Sequence, residues 1–330
     1  MIFISSKIYF PIILFAGQNR FIITFNYIVP VKSSALVILL IIKLTSFSQN
    51  SGDGQKISDS LKTVISDESV HDTTRMKARF DYGDLMMINS VGYWDSLKID
   101  CDNLLKRNQD PEVKYSLSYT KVGSMHVLGS ILFNKGDIPK ALKCFDECLK
   151  LNEEIKDDMG IALCLGWFGY IYKSQGDGEK ALEYYFQGLE IQKKVDDKYG
   201  MAHNLNNIAI LFNSLGDFVK SLEYHHQSLL IKEEIGDKAG MGISLVNIGY
   251  INMETGKPDE AEEYFYRALE IQQEVRDKRG IGNTMKNLGW ICYKKGDLEK
   301  AHEHAVQSMD LAKEIGDVKL IERTAALITE

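Results

Sequence analysis

The sequence predicts an all-α solenoid of antiparallel helix pairs. Gly136, Gly176, Gly216, Gly256 and Gly296 recur every 40 residues, which marks internal repeats. Between these glycines apolar residues recur with a helical period, over stretches too long for strands. Asp follows each glycine except Gly256, where Lys257 stands. Glycine followed by aspartate suits the end of one helix and the start of the next.

The elements follow in chain order. Residues 1–48 are basic and contain apolar runs at 8–16, 21–31 and 35–42. None reaches the ~18–20 residues that a membrane-spanning helix needs. From Val31, "VKSSALVILLIIKLTSFSQN" reads as an export signal: Lys32 opens it, "ALVILLII" is its apolar stretch, and Ser46 and Ser48 precede a cut before Gln49. Residues 1–30 have no evident role ahead of such a signal and read as upstream sequence from a misassigned start. The expected location is therefore exported, periplasmic or associated with the cell envelope. The competing expectation is an uncleaved N-terminal membrane anchor.

Residues 49–117 read as irregular leading helices, with "DSLKIDCDNLLKR" (95–107) in the style of a second helix. Five units of 40 residues then occupy 118–320. Five residues after each turn glycine stands a small residue, Ala141, Ala181, Ser221, Ala261 or Ala301. Seven before it stands Gly129, Gly169, Ala209, Gly249 or Gly289, so paired helices can approach closely. A second series, Gly160, Gly200, Gly240 and Gly280, keeps the same register. At corners such as Gly216-Asp217 and Gly236-Asp237, the glycine is placed to take a left-handed conformation and the aspartate to cap the following helix.

These positions resemble the tetratricopeptide repeat. In the fourth unit the pattern is Leu245, Ile248, Gly249, Gly256, Ala261, Phe265 and Ala268. Ser221, His225 and Ala305 depart from it, each in one unit. The 40-residue form is similar to the repeats of G-protein-signalling modulators and to sensory regions of bacterial signalling proteins. The resemblance implies a right-handed superhelical solenoid that binds a protein or peptide.

In such a stack the first helix of each pair lines the concave face. Here those helices are nearly uncharged. "IALCLGWFGY" (161–170), "MAHNLNNIAI" (201–210) and "MGISLVNIGY" (241–250) carry no charged residue, and "IGNTMKNLGW" (281–290) carries only Lys286. Helical spacing turns Leu205, Ile208 and Ala209 inward and the opposite set toward a groove. In the second unit that set is Trp167, Tyr170 and Lys173. In the third it is His203, Asn206, Asn207, Ile210 and Asn213. The fourth presents Asn247, Tyr250 and Met253, and the fifth Asn283, Lys286, Asn287, Trp290 and Tyr293. Asn207, Asn247 and Asn287 share one repeat position. Each amide both donates and accepts, so a row of them can bond an extended peptide backbone. In the resembled modulators, asparagines at this position contact a bound peptide. The competing reading has them bond the adjacent helix and serve packing. Lys173 and Lys286 are too few for a clamp on a terminal carboxylate.

Other chemistries are not expected. The first 49 residues carry Lys7, Arg20, Lys32 and Lys43 and no acid, so a total charge of −7 leaves the body at −11. An acidic body disfavours nucleic acid, whose binding needs cations to neutralise phosphates. Cys101, Cys144, Cys148, Cys164 and Cys292 form no CxxC pair, so neither a disulfide framework nor a zinc site is expected, and Cys144 and Cys148 read as small core residues. His225-His226 and His302-x-His304 read as solvated second-helix residues. No phosphate loop, HExxH or GxSxG occurs, so neither enzyme activity nor a cofactor is expected. The expected function is a protein-interaction module. Its alternatives are the sensory front of a membrane histidine kinase or nucleotide cyclase whose catalytic part follows residue 330, and a scaffold of an envelope assembly. Contact with a membrane would come only through an N-terminal anchor or such a following segment. The closing "IERTAALITE" (321–330) reads as a capping helix or the start of a truncated sixth repeat. Register places Ile321, Ala325 and Ile328 in its core and Ala326-Leu327 on the groove side.

Overall fold

The computed structural model describes residues 8–16, 19–27 and 51–329. The expected export stretch at 31–48 and its cut before Gln49 lie outside the described residues. No helix among the described residues is long and apolar enough to cross a membrane.

Ile8–Ala16 (β1) and Asn19–Tyr27 (β2) pair as an antiparallel hairpin, Ile8 opposite Tyr27 and Ala16 opposite Asn19. Their Ile, Phe and Tyr content suits a strand, so this hairpin precedes the described helices in the chain. From Ser51 to Thr329 all the described elements are helices. The first unit runs to Cys164 and the second begins at Leu165.

In the first unit α1 (Ser51–Ser66), α2 (Asp72–Leu85) and α3 (Val91–Arg107) precede the regular array. Trp94, Leu97 and Cys101 on α3 are buried. The Trp94 indole donates to Ile88 O at 2.7 Å, and its ring meets Phe80 edge-on at 5.5 Å. The first repeat is α4 (Pro111–Asn134) and α5 (Ile138–Ile155). At 24 residues α4 is longer than the helices that follow and starts ahead of the expected residue 118. The cause is local. Asp110 accepts from the amides of Glu112 and Val113, and Pro111 occupies the first helical position, so the helix starts there. Next, α6 (Asp158–Ser174) contains the junction of the two units.

The second unit continues with α7 (Gly178–Lys194), α8 (Lys198–Ser214), α9 (Phe218–Ile235), α10 (Lys238–Glu254), α11 (Pro258–Glu274), α12 (Lys278–Lys295), α13 (Leu298–Glu314) and α14 (Val318–Thr329). Each of these packs mainly on its sequence neighbours, and α10 also touches α12. This is an all-α repeat solenoid, in which each unit is stabilised by the next. Its core is periodic. Tyr185 and Phe265, both wholly buried, lie against Gly169 and Gly249, where an added Cβ would stand 2.7 and 2.8 Å from the ring. Exposed Lys198–Glu234, Lys238–Glu274 and Lys278–Glu314 pairs repeat along the surface. Such pairs contribute little each.

The corners follow the sequence. Gly216 and Gly236 have φ of +78° and +71°. Asp217 accepts from the Lys220 amide at 3.1 Å and Asp237 from the Gly240 amide at 2.9 Å. Lys257 makes no side-chain cap, and Pro258 starts α11 instead.

Three expectations are corrected. His225 is not solvated but 1% exposed, because α9 turns it inward at the position where Phe265 stands one repeat later. On α14 the deeply buried residues are Leu320 and Thr324, while Ile321 and Ala325 are half-buried and the side chain of Ile328 lies outside the described residues. Leu327 does not face a groove. It stands over Gly289 of α12, where an added Cβ would be 3.0 Å from it.

Candidate functional site

The first helices of the second unit carry the expected groove residues, and α8, α10 and α12 start from the same device. Asp197, Asp237 and Asp277 each accept from the amide of a glycine three residues on, at 3.0, 2.9 and 3.0 Å. The missing Cβ at those glycines leaves room for the capping carboxylate, which would stand 2.2, 2.0 and 2.3 Å away from one. Helices begun in one way at one register present the same positions along one face.

The structure sorts the predicted residues by depth. Tyr250 is 43% exposed, and Asn247, Met253, Asn283, Lys286, Asn287, Trp290 and Tyr293 are half-buried. Tyr170, Lys173, His203, Asn206, Ile210 and Asn213 are also half-buried. Trp167 and Asn207, only 7% and 8% exposed, belong to the interior more than to a groove. They sit nearer the helix beside them than spacing on one helix implies.

Polar contacts divide the asparagines further. The Asn207 amide is 3.2 Å from His203 Nδ1 on its own helix. Asn247 donates to Asn206 Oδ1 at 3.3 Å, linking α10 to α8. Asn283 donates to Arg279 O at 3.0 Å. The asparagine row therefore does not act as one: Asn207 and Asn247 bond through their side chains, whereas the Asn287 side chain makes no hydrogen bond among the described residues. Trp290 and Tyr293 lie with ring centres 5.7 Å apart, and Lys294 Nζ sits 4.6 Å from the Trp290 ring. That lysine was not among the predicted residues. Spacing on one helix could have found it, since it stands four residues after Trp290 on the same face, and its flexible stem reaches over the ring.

Burial sets the electrostatics. It lowers Lys173, and it lowers Lys286 with help from Arg323. His203 falls to about 4 through burial, with Lys232 and Lys173 adding repulsion. It is neutral at pH 7. The face therefore offers neutral amides, aromatic rings and two lysines whose charge is disfavoured.

Beneath it runs a buried polar slot that sequence reading missed. In three successive repeats a polar residue late in the second helix meets one 12 positions on, in the following first helix. Asn204 donates to Gln192 at 2.9 Å, Lys232 to Ser244 at 2.8 Å and Thr284 to Gln272 at 2.8 Å. The signal was present, since each of these polar residues interrupts an apolar stripe at one repeat position. In the first unit the slot holds Asn152 and Cys164 instead, with Cys148 and His126 beside them. His126, Cys148 and Cys164 could hold a metal ion, their ligand atoms lying within 4.8 Å of one another.

Comparison with known proteins agrees with the architecture. A tetratricopeptide-repeat family profile matches residues 122–194 and 240–314. No curated protein matches the chain in sequence. Among solved structures, BtubC from P. vanneervenii shares 22% identity and a TM-score of 0.60, over 69% of this chain and 91% of that one. Aspartyl phosphate phosphatase F from Bacillus subtilis shares 18% identity and a TM-score of 0.61, over 91% of this chain and 80% of that one. The Rap conjugation gene regulator of plasmid pLS20, solved with a peptide, shares 16% identity and a TM-score of 0.55, over 83% of this chain and 78% of that one. At these identities the likeness is one of fold. The forty-residue register, the paired helices closed by glycine corners and the matched profile give one conclusion: the chain carries an array of tetratricopeptide repeats.

Proposed function

We propose that the first-helix face of the second unit docks an extended, largely uncharged peptide segment of a partner protein. The carrying observation is the half-exposed strip of Asn287, Trp290 and Tyr293 on α12 with Tyr250 on α10, set among first-helix middles (201–210, 241–250 and 281–290) in which only Lys286 is charged. Aromatic side chains supply apolar area at low entropic cost and dominate many interfaces. The Asn287 side-chain amide, without a hydrogen bond among the described residues, offers a donor and an acceptor to a peptide backbone. The solved complex of a fold relative with a peptide supports this reading. The buried Asn207 is better read as part of the scaffold than as a contact. The chain acts by binding, and the face provides neither an activated nucleophile nor a paired acid and base.

The test uses peptides selected from a random display library against the full chain. Trp290→Ala and Tyr250→Ala should each weaken a selected peptide at least about tenfold, with helix content by circular dichroism unchanged. Glu303→Ala, on the exposed side of α13, should leave binding as it is. Peptides that bind both aromatic variants as tightly as the parent chain, or a library that enriches nothing, would overturn the reading.

A further inference from the structure

We propose that His126, Cys148 and Cys164 bind one Zn2+ ion inside the first unit. The three residues come from α4, α5 and α6 and are 1%, 0% and 0% exposed. His126 Nε2 is 3.8 Å from Cys164 Sγ, and all three ligand atoms fall within 4.8 Å. Three donors arranged around one point differ from a chance pair of core cysteines.

Register makes the site specific to this repeat. The position of Cys148 is Gly188, Ser228, Ala268 and Ser308 in the others. That of Cys164 is Asn204, Ser244, Thr284 and Thr324, and that of His126 is Gly166, Asn206, Val246 and Lys286. Only the first repeat collects two thiols and an imidazole.

The second observation is unmet bonding. In three later repeats the slot closes with a hydrogen bond of 2.8–2.9 Å. Here the Asn152 amide has only sulfurs to donate to, Cys164 at 3.5 Å and Cys148 at 3.8 Å. Asn152 Oδ1 and His126 Nδ1 are buried with no hydrogen-bond partner among the described residues. Buried polar atoms left in this state are costly, and an ion held by His126 Nε2 and the two sulfurs would use the Asn152 oxygen once that amide is turned over.

The donor set selects the ion. Two thiolates and an imidazole suit a thiophilic ion. Zn2+ with two thiolates is neutral overall, which a site among Phe145, Met125 and Val122 requires. Turning the Asn152 amide over would present its unpaired oxygen as a fourth donor. Otherwise its NH2 remains aimed at the sulfurs, as outer groups around metal sites do. Binding releases one proton from each thiol and changes no oxidation state.

Because the site is enclosed, the ion must enter during folding. The full chain is therefore unfolded, refolded under a reductant with one equivalent of Co2+, and read by absorption. The expected result is a sulfur-to-cobalt charge-transfer band with intense tetrahedral ligand-field bands, saturating at one ion per chain and bleached by Zn2+. Cys148→Ser and Cys164→Ser should each weaken binding at least about tenfold, and His126→Gln similarly. Cys101→Ser and Cys292→Ser should not. Circular dichroism identifies any variant that fails to fold, and for such a variant the parent chain decides: Zn2+ added on refolding should raise its thermal midpoint, and EDTA present during refolding should prevent this. Absence of the sulfur band in the refolded chain, its persistence in folded Cys164→Ser, or a Cys148–Cys164 disulfide in the chain as purified would overturn the proposal.

Discussion

The two units close the same buried slot with different chemistry. In the second, oxygen and nitrogen partners meet at 2.8–2.9 Å and satisfy one another. In the first, an asparagine faces sulfurs at 3.5 and 3.8 Å and leaves its oxygen unpaired. A repeat position thus preserves a place for polarity while leaving the chemistry open. Strong pairs there lock second helix to next first helix, and a weak pair leaves capacity for something else.

The largest expected effect lies at Lys232, whose amine is buried against Ser244 near His203 and His225. Burial lowers it from 10.5 to about 8, and Asp237 only partly opposes this. Between these values the unfolded chain holds the proton and the folded chain has released it, so stability rises as pH rises from about 8 to about 10. The gain should be about 3 kcal/mol at most, read as the urea midpoint across that range. Lys232→Met should flatten the rise, and an unchanged rise would show that the amine is not in the slot.

Thr284→Val tests a neutral pair. The shape is kept, but Gln272 Oε1 loses its donor in a buried place. A loss of about 1–3 kcal/mol by urea denaturation is expected. No loss would mean that water already reaches the slot.

The smallest effect is expected in the first unit. In metal-free protein, Asn152→Met removes a polar group that is barely satisfied and fills similar volume. Stability should change by less than about 1.5 kcal/mol, in either direction. A loss as large as that of Thr284→Val would end the contrast between the units.

Much of this was legible in the sequence. Gly216 and Asp217 act on their own neighbours, so their roles as corner and cap could be read from a few residues. Small residues opposite Tyr185 and Phe265 could be read as well, because one register repeats. What could not be read was depth. Asn207 and Asn287 share a repeat position, yet the side chain of one bonds His203 and that of the other bonds nothing among the described residues. His225 was expected in solvent, because a single helix does not reveal which neighbour covers it.

The sequence by itself determined the repeat, its helix pairs, their corners and the nearly uncharged middles of the first helices, since all of these are read from local composition, short-range periodicity and backbone preference. Only the tertiary structure decided which asparagines remain free and which polar residues meet 12 positions apart. It alone brought His126 to Cys164, 38 residues away. The reason is that contacts between helices depend on how each helix is rotated against its neighbours, and packing in three dimensions sets that rotation.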